Sequence, residues 1–566
     1  MLRSLIWAVI AMVIGTTACG AQQAGLRDGD VVLCFGDSIT EQAESSVGYV
    51  TQLRRIVAER HPDWKVQILA SGFSGGGAGY AGTLLKAAAA LTPETRAKAD
   101  PKVVRLADNI AAKPTVVIFV FGVNDICNST VSRLVPSDED KLMKSYWQTI
   151  DDVRAIVKPR ELWLSPPLSA GERDTTPKNE MILRYGPALR AGAAAHGALV
   201  LGTQDEFWKQ VAACRELWSG MRFTVDGVHP NGAGHLLLAE VMLHDLGVTA
   251  ADGQLPSPLS YLPPAQRDAI NKGGVALSYD IPETDTDKTT QTRFPWHLYL
   301  TNVTDKPLAV SLTLTLPEGL QAAAGAPPAQ VQLPAGGHQE FTVQVAGPLS
   351  AETTVCTAAA QWQRDGAPYQ AEIKAELHAP WLVLVPLRGN PFLVQTQPTW
   401  GTAPNPAEFK PEPPAVDLAQ TVPDPVTGQA THWRKYVNHS PWVNTASQEG
   451  IDFYNLADCL HNEMALGVRW IKAPQDTDAH LVMHHGDWTA WGADQVWLNG
   501  EQVYLGILTQ EKDKMVDKPV HLKAGWNQLV FKSALWQWLW HVIIDLRDAD
   551  GKPIPGLTYA VEPPAA

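Results

Sequence analysis

A serine, a histidine and an aspartate occur in a pattern that could perform nucleophilic catalysis. Ser38 follows a glycine and an aspartate, and Asp226 precedes His229 by three residues. A serine hydroxyl is a poor nucleophile until a neighbouring base takes its proton, and histidine is a common base for this step. A carboxylate on the other imidazole nitrogen fixes the tautomer and stabilises the imidazolium. The three residues therefore predict attack by Ser38 on an acyl carbon, with His229 as the base and Asp226 as its partner.

Such an attack creates an oxyanion that must be stabilised by hydrogen-bond donors. Backbone N–H groups and side-chain amides that lie near Ser38 could supply these donors, and Asn124 and a glycine-rich stretch of backbone are candidates. Gly75 lies in the glycine-rich stretch 72–77, where the backbone can approach a ligand closely. Taken alone, Ser38 could be a helix N-cap and Asn124-Asp125 a turn pair. Their occurrence together, in this order, favours the catalytic interpretation.

The elements that must position these residues alternate between strand and helix over residues 28–248. Short apolar runs of the kind found in strands buried on both faces are separated by helical patterns. The predicted strands are Val31–Phe35, Val66–Leu69, Thr115–Phe121, Glu161–Leu164 and Ala198–Leu201. In an open parallel sheet, ligands bind outside the carboxyl ends of the strands. Three of the motifs follow predicted strands, so they converge on one edge of an α/β/α domain.

Residues 28–248 resemble the SGNH (GDSL-type) hydrolase superfamily through three sequence blocks. Gly36-Asp37-Ser38 matches the first block, Gly122-x-Asn124-Asp125 the third, and Asp226-x-x-His229 the last. The resemblance implies a flavodoxin-like fold with a parallel sheet. It also implies a catalytic triad of Ser38, Asp226 and His229.

The resemblance further implies an oxyanion hole formed by the backbone N–H groups of Ser38 and Gly75 and the side-chain amide of Asn124. The second block departs from the family pattern. The family often has Asn shortly before its Gly, whereas this chain has Ala70 there, and Gly75 is the best match for the glycine.

Two all-β domains are predicted after the α/β/α domain, because strands there are short, turn residues separate them and helical periodicity is absent. Residues 275–388 are predicted to form an Ig-like β-sandwich, and the Pro-rich residues 390–430 a linker. Residues 431–566 are similar, through 496–500 and 522–527, to jelly-roll modules appended to secreted glycoside-active enzymes. Ten of the 20 tryptophans lie in this last region. Trp488 and Trp491 are candidate sugar contacts, and packing in the sandwich core is the alternative.

The N-terminus has the pattern of a signal peptide, predicted to span residues 1–21. Arg3 precedes an apolar run of eleven residues, which is shorter than the roughly 20 needed to cross a bilayer. Small residues follow. Residues 16–19 resemble a bacterial lipobox, so ordinary cleavage and a lipid anchor at Cys19 remain alternatives. We expect a secreted, periplasmic or cell-surface protein with no membrane span.

Charge and cysteine content exclude other classes of protein. The chain has 45 Lys and Arg against 59 Asp and Glu, a net charge of −14, which argues against a nucleic-acid partner. Six cysteines in 566 residues are too few for a disulfide framework, and the pairing of Cys127 with Cys214 is left open. His480, His484 and His485 are better explained as polar residues beside a strand than as metal ligands. We expect no metal or cofactor.

The signal-peptide pattern, the family resemblance and the tryptophan-rich last region together predict an exported serine esterase that hydrolyses acyl esters, acetyl in particular, on a carbohydrate. One alternative is a lipase or phospholipase-type acylhydrolase, which would need an apolar lid or groove. Another is a non-catalytic carbohydrate-binding surface protein, against which the complete set of Ser38, Asn124, Asp226 and His229 argues. Because the candidate residues all precede residue 230, residues 28–250 are expected to fold and react alone.

Overall fold

The computed structural model describes most of the chain, and the statements below concern its described residues. These are 25–127, 136–169, 177–281, 292–347, 349–351, 353–387, 416–423, 430–436, 451–453, 463–485, 491–508, 515–537 and 541–561. The predicted signal peptide with Cys19, most of the predicted linker, and Trp488 lie outside them.

A five-stranded parallel sheet forms the centre of the first domain, with strand order β2-β1-β3-β4-β5. Its strands are β1 (Val31–Gly36), β2 (Gln67–Gly72), β3 (Val116–Val120), β4 (Glu161–Leu164) and β5 (Leu199–Val200). Strand β1 pairs with both β2 and β3. Every residue of β3 is buried, as expected of a central strand covered on both faces. The predicted α/β fold is confirmed.

Ten helices accompany this sheet in the described residues. They are α1 (Ser38–Glu41), α2 (Tyr49–Arg60), α3 (Ala78–Ala89), α4 (Pro93–Arg96), α5 (Pro101–Ala111), α6 (Val123–Cys127), α7 (Pro136–Ile156), α8 (Pro177–Ala193), α9 (Thr203–Leu217) and α10 (Gly232–Asp245). They pack in two groups: α3 contacts α5 and α7, while α10 contacts α2 and α9. No helix in the described part of the chain is long and apolar enough to cross a membrane.

The hydrophobic core of this domain extends beyond its predicted end at residue 248. Buried Tyr261, Leu262 and Ile270 join the same core as the sheet residues. Ile270 belongs to α11 (Pro264–Gly273), although the sequence predicts no helix after residue 250. Ile270 is its one large apolar residue that is buried, so the sequence offers few apolar positions from which to predict this helix. Its clearest sequence signal is Pro264 at the first helical position.

Two four-stranded antiparallel sheets follow, in the orders β6-β7-β11-β9 and β10-β8-β12-β13. Their strands are β6 (Val275–Asp280), β7 (Thr292–Asn302), β8 (Leu308–Thr315), β9 (Gln321–Ala324), β10 (Gln330–Leu333), β11 (His338–Gly347), β12 (Thr353–Arg364) and β13 (Ala367–His378). Trp296 and Val343 of the first sheet share one core with Ala358 and Leu377 of the second. The sheets therefore pack face to face.

The C-terminal region is all-β. Its strands are β14 (Trp381–Leu387), β15 (Thr421–Pro423), β16 (Ala430–His432), β17 (Arg434–Tyr436), β18 (Ile451–Asp452), β19 (Glu463–Ala473), β20 (Thr477–His485), β21 (Trp491–Leu498), β22 (Glu501–Leu508), β23 (Met515–Leu522), β24 (Gly525–Gln537), β25 (His541–Arg547) and β26 (Thr558–Ala560). The larger sheet has the order β17-β14-β19-β24-β21-β22, with β26 on β19; the smaller has the order β18-β25-β20-β23. Both contribute to one core, through Phe531 and Leu481 respectively.

Two strands differ from the predicted domain boundaries. Strand β14 lies within the range 275–388 predicted for the first β-sandwich, yet it pairs with β17 and β19 of the C-terminal sheet. Strand β15 lies within the predicted linker and pairs with β16. A run of apolar residues indicates a buried strand but not the sheet that it joins, so the sequence pattern could not place β14.

Candidate active site

Ser38 lies where β1 ends and α1 begins. The side chain of Asp37 caps α1, accepting the backbone N–H of Ile39 at 3.0 Å. Gly36, the residue before Asp37, must be glycine, because a Cβ there would clash with the Thr40 hydroxyl and the Val120 carbonyl. The tight turn from strand to helix thus places Ser38 at the carboxyl edge of the sheet.

Asp226 and His229 lie in a turn immediately before α10. An isolated bridge between Thr224 and Pro230 closes this turn. The Asp226 Oδ1 atom accepts the backbone N–H of Val228 at 3.0 Å and that of His229 at 2.7 Å. The carboxylate therefore shapes the loop that carries the histidine as well as facing its ring.

The structure brings the three candidate catalytic side chains into one chain of hydrogen bonds. His229 Nε2 lies 2.8 Å from Ser38 Oγ, and His229 Nδ1 lies 2.6 Å from Asp226 Oδ2. Both distances are within the reach needed for proton transfer and for orienting the imidazole. With Nδ1 donating to the carboxylate, Nε2 can accept the serine proton.

The charges around His229 favour its protonated form. Burial alone would lower the pKa of His229, but the hydrogen bond and charge of Asp226 and the charge of Asp37 outweigh it and raise that pKa. Burial would raise the pKa of Asp226, but hydrogen bonds from His229 and Val228 hold it below its ordinary value. The site therefore keeps Asp226 ionised and stabilises the imidazolium that a general base must become.

Asp37 has a different environment from Asp226. Burial raises the pKa of Asp37 to about 7, although the Ile39 N–H and the charge of His229 act in the opposite direction. This residue lies next to Ser38 in the chain, but the sequence predicted no role for it beyond its place in the motif.

The candidate oxyanion donors also meet at this edge. Residues 73–77 carry the candidate donor Gly75, and for this reason we call them the oxyanion loop. Gly75, at its centre, has φ +74°, which favours glycine. The Asn124 side-chain amide donates to the Gly76 carbonyl at 3.2 Å, so the third motif touches this loop directly. Gly76 N–H donates to the Phe73 carbonyl at 3.0 Å and closes the turn.

Asp125 fixes the far end of the oxyanion loop. Its two carboxylate oxygens lie 3.0 and 2.9 Å from the backbone N of Ala78, the first residue of α3. A Cβ on Gly77 would lie 2.7 Å from the carboxylate, so a larger residue there would displace Asp125 from this contact. Burial raises the pKa of Asp125. Sequence analysis assigns Asp125 no role of its own, although its place beside Asn124 in the motif is a signal.

The other candidates from the sequence lie away from this arrangement or outside the described residues. Trp488 is outside them, and so is the side chain of Trp491, which begins β21. In the same region Trp433, Trp470 and Trp497 are buried, as core packing predicts, whereas Trp526 is exposed.

The candidate metal and disulfide residues have other partners. His480 Nδ1 pairs with Asp517 at 2.5 Å, while the side chains of His484 and His485 are outside the described residues. No cluster of three potential metal ligands occurs in the described part of the chain. Cys214 is a buried free thiol whose Sγ lies 3.3 Å from the Pro258 carbonyl oxygen, so it is not paired with Cys127.

Comparison with known proteins agrees with the motifs. Residues 34–237 match the model of the GDSL-like lipase/acylhydrolase family. These residues are a GDSL-like acylhydrolase domain. The predicted family and the prediction of an ester hydrolase are thereby confirmed.

The GDSL-like domain has relatives of known activity and structure. The chain is 23% identical over 238 residues to an acetylxylan esterase of Geobacillus stearothermophilus, covering 39% of this chain and 96% of that protein. A crystal structure of the acetylxylan esterase Axe2 from the same organism matches with 21% identity, 39% and 95% coverage and a TM-score of 0.29. An α/β hydrolase enzyme from the metagenome of Lake Arreo, Spain, matches with 20% identity, 39% and 97% coverage and a TM-score of 0.30.

Proposed function

We propose that this protein is an exported serine esterase that removes acyl groups, acetyl in particular, from carbohydrate. Its catalytic residues would be Ser38, His229 and Asp226. The observation that carries the proposal is the pair of hydrogen bonds that His229 makes, 2.8 Å to Ser38 Oγ and 2.6 Å to Asp226 Oδ2. This arrangement of nucleophile, base and orienting carboxylate is suited to acyl transfer.

The first half of the reaction forms an acyl-enzyme. Ser38 Oγ attacks the ester carbonyl carbon while His229 Nε2 takes the hydroxyl proton, and Asp226 stabilises the resulting imidazolium. The carbonyl oxygen becomes an oxyanion, which the N–H groups of Ser38 and Gly75 and the amide of Asn124 stabilise. When the intermediate collapses, the C–O bond to the sugar breaks and His229 gives its proton to the departing sugar oxygen.

The second half releases the acid and restores Ser38. His229, neutral again, takes a proton from a water molecule as the water oxygen attacks the acyl carbon. The second oxyanion occupies the same donors. Its collapse breaks the bond to Ser38 Oγ, and His229 returns the proton to that oxygen. The net reaction is hydrolysis of one ester to one alcohol and one acid.

Side chains around the site support a carbohydrate substrate. Tyr80 in the first turn of α3 is 53% exposed, and Val225 beside Asp226 is 59% exposed. Val47, also exposed, lies against Gly232 at the start of α10. A pyranose ring has apolar faces that can pack on an aromatic ring such as that of Tyr80. The acetylxylan esterase relative supports acetyl as the acyl group.

Acetate release from a panel of substrates tests this function. Acetylated xylo-oligosaccharides, other acetylated polysaccharides, p-nitrophenyl acetate and a long-chain p-nitrophenyl ester would be compared, with Ser38→Ala as the control. We expect acetate from at least one acetylated carbohydrate and little activity on the long-chain ester. A preference for the long-chain ester would indicate a lipase-type acylhydrolase. No hydrolysis of any substrate would favour the non-catalytic binding protein.

Export is proposed from the N-terminal pattern of Arg3 and the apolar run that follows it. Mass spectrometry of the N-terminal peptide of the mature protein would test it and would separate the two kinds of processing. A free N-terminus just after the small residues at 16–21 indicates ordinary cleavage. A lipid-modified Cys19 indicates anchoring, and an intact residue 1 contradicts export.

A further inference from the structure

We propose that Glu41 is a positioning residue: its carboxylate holds the oxyanion loop so that the Gly75 N–H stays in place as an oxyanion donor. The inference rests on the proposed role of Ser38. Ser38 and Glu41 are the first and last residues of α1, a helix of four residues. The proposed nucleophile and the residue that holds one of the oxyanion donors in place would therefore belong to the same helical turn.

The contacts of Glu41 reach both the oxyanion loop and a neighbouring helix. Its Oε2 atom accepts the Ser74 backbone N–H at 2.8 Å and the Ser74 hydroxyl at 2.5 Å. Its Oε1 atom lies 2.5 Å from Lys102 Nζ in α5. The backbone of Glu41 also packs closely against the end of β2. A Cβ on Gly72, the residue just before the oxyanion loop, would clash with it.

Gly75 is thereby held between two fixed points. On one side, Ser74 is bound by Glu41 through two hydrogen bonds. On the other, the Gly76 carbonyl is bound by Asn124. Gly75 itself has the left-handed φ that glycine adopts without strain, and it has no side chain with which to anchor itself. Its position depends on its neighbours, and Glu41 secures one of them.

The charge and exposure of Glu41 favour a positioning role over a large stabilising one. Burial would raise the pKa of Glu41, but hydrogen bonds from Lys102 and Ser74 outweigh it and hold the pKa below its ordinary value, so the carboxylate stays ionised. The Glu41 and Lys102 side chains are 34% and 48% exposed, and exposed ion pairs add little to folding stability. Oxyanion donors, in contrast, act only when they lie within a few tenths of an ångström of the position that the transition state requires.

Glu44 offers a matched control, because it differs from Glu41 mainly in what it touches. It lies three residues further along the same segment, and its side chain is 32% exposed. Its carboxylate accepts from Arg54 at 2.9 Å and also pairs with Arg105. Both glutamates thus form ion pairs at similar exposure. Of the two, Glu41 is the one bonded to the oxyanion loop.

The test compares kcat and KM of the full chain for p-nitrophenyl acetate in Glu41→Ala, Glu41→Gln and Glu44→Ala, with thermal unfolding of each variant. We expect Glu41→Ala to lower kcat by about tenfold or more with KM changed less than about twofold, because the lost contact acts on the transition state. Glu41→Gln should recover most of kcat, since its amide oxygen can still accept the Ser74 N–H. Glu44→Ala should keep the wild-type kcat.

Three outcomes would overturn the inference: a wild-type kcat in Glu41→Ala, an equal fall in Glu41→Ala and Glu44→Ala, or an effect confined to KM. If Glu41→Ala fails to fold, the Glu41→Gln and Lys102→Met variants decide instead. The inference then requires Glu41→Gln to keep most of kcat and Lys102→Met to lose part of it at unchanged KM. Ser38→Ala is assayed in parallel. Full activity in that variant would reject the proposed function itself, whereas its inactivity beside a normal Glu41→Ala would reject only the role of Glu41.

Discussion

The Nε2 atom of His229 lies 2.8 Å from Oγ of Ser38, although 191 residues separate the two in the chain. Ser38 is placed by the end of β1, and His229 by the turn before α10. If this contact is a nucleophile–base pair, Ser38→Ala should remove esterase activity to near the residual level while the fold is kept. Active-site labelling with a fluorophosphonate, followed by peptide mass spectrometry, should modify Ser38 and no other residue. Labelling of a different serine would show that the nucleophile lies elsewhere.

The second prediction concerns pH. The base must be neutral to take the serine proton, and Asp226 raises the pKa of His229 above its ordinary value of 6.5. Activity should therefore be low below that pH and rise with a midpoint above 6.5 in the profile of kcat/KM. In Asp226→Asn the negative charge is gone, so the pKa of His229 should fall. NMR titration of the His229 ring would measure this, and a midpoint unchanged by the substitution would argue against the pairing.

Asn124 is predicted to act on the transition state. Asn124→Ala should lower kcat by about 10²-fold or more and leave KM nearly unchanged, because the oxyanion exists only in the transition state and intermediates. Steady-state kinetics on p-nitrophenyl acetate would measure both constants. A change mainly in KM would mean that Asn124 positions the substrate instead.

The sequence predicts the parallel sheet for an identifiable reason, and the structure places the candidates Ser38, His229 and Asp226 within hydrogen-bond distance of one another. Val116–Val120 is apolar throughout because both faces of β3 are covered, and this leaves a continuous signal. Ser38 directly follows a predicted strand, which places it at the carboxyl edge of the sheet, whereas its meeting with His229 is what the resemblance of their motifs to the SGNH superfamily implies.

The contacts of Glu41 and Asp125 could not be predicted in the same way. Each binds a backbone N–H of a segment that is distant in the sequence, and an acidic residue in a helix has the same pattern whether it faces solvent or a loop. Strand β14 is a similar case, since its apolar pattern does not specify which sheet it joins. Contacts of this kind depend on long-range packing, which local periodicity does not encode.

Tyr80 is predicted to contact the sugar and to have no part in the chemistry. A Cβ on Gly76 would lie 3.1 Å from the Tyr80 ring, so this side chain stands directly beside the oxyanion loop. Tyr80→Ala should raise KM for an acetylated xylo-oligosaccharide by roughly fivefold to tenfold, which corresponds to about 1–1.4 kcal/mol of lost binding free energy. KM for p-nitrophenyl acetate should change much less. Val355→Ala, which removes an exposed apolar side chain from β12, is the control. Equal changes on both substrates would place Tyr80 in a structural role.

The last prediction concerns where the chain can be cut. Ending it at residue 250 removes Tyr261, Leu262 and Ile270, which are buried in the core of the GDSL-like domain. Each such side chain contributes about 1.5–3 kcal/mol, against a typical total stability of about 5–15 kcal/mol. The product that ends at residue 250 should therefore unfold at a much lower temperature than the full chain, or fail to fold. This replaces the expectation that residues 28–250 are sufficient.

A chain that ends at residue 378 should keep the GDSL-like domain folded. It keeps α11 and both sheets of the first β-sandwich, including Ser278, whose hydroxyl bonds to the Arg215 carbonyl of α9. It removes β14 together with the sheet that β14 joins. This product should keep kcat/KM on p-nitrophenyl acetate, because every proposed catalytic residue and its supporting core remain. It should lose roughly tenfold on dilute acetylated polysaccharide if the tryptophan-rich region holds the polymer near Ser38. If the full chain and this product hydrolyse the polysaccharide at equal rates, the tryptophan-rich region has no role in capturing it. If the product loses activity equally on both substrates, that region supports the active site itself.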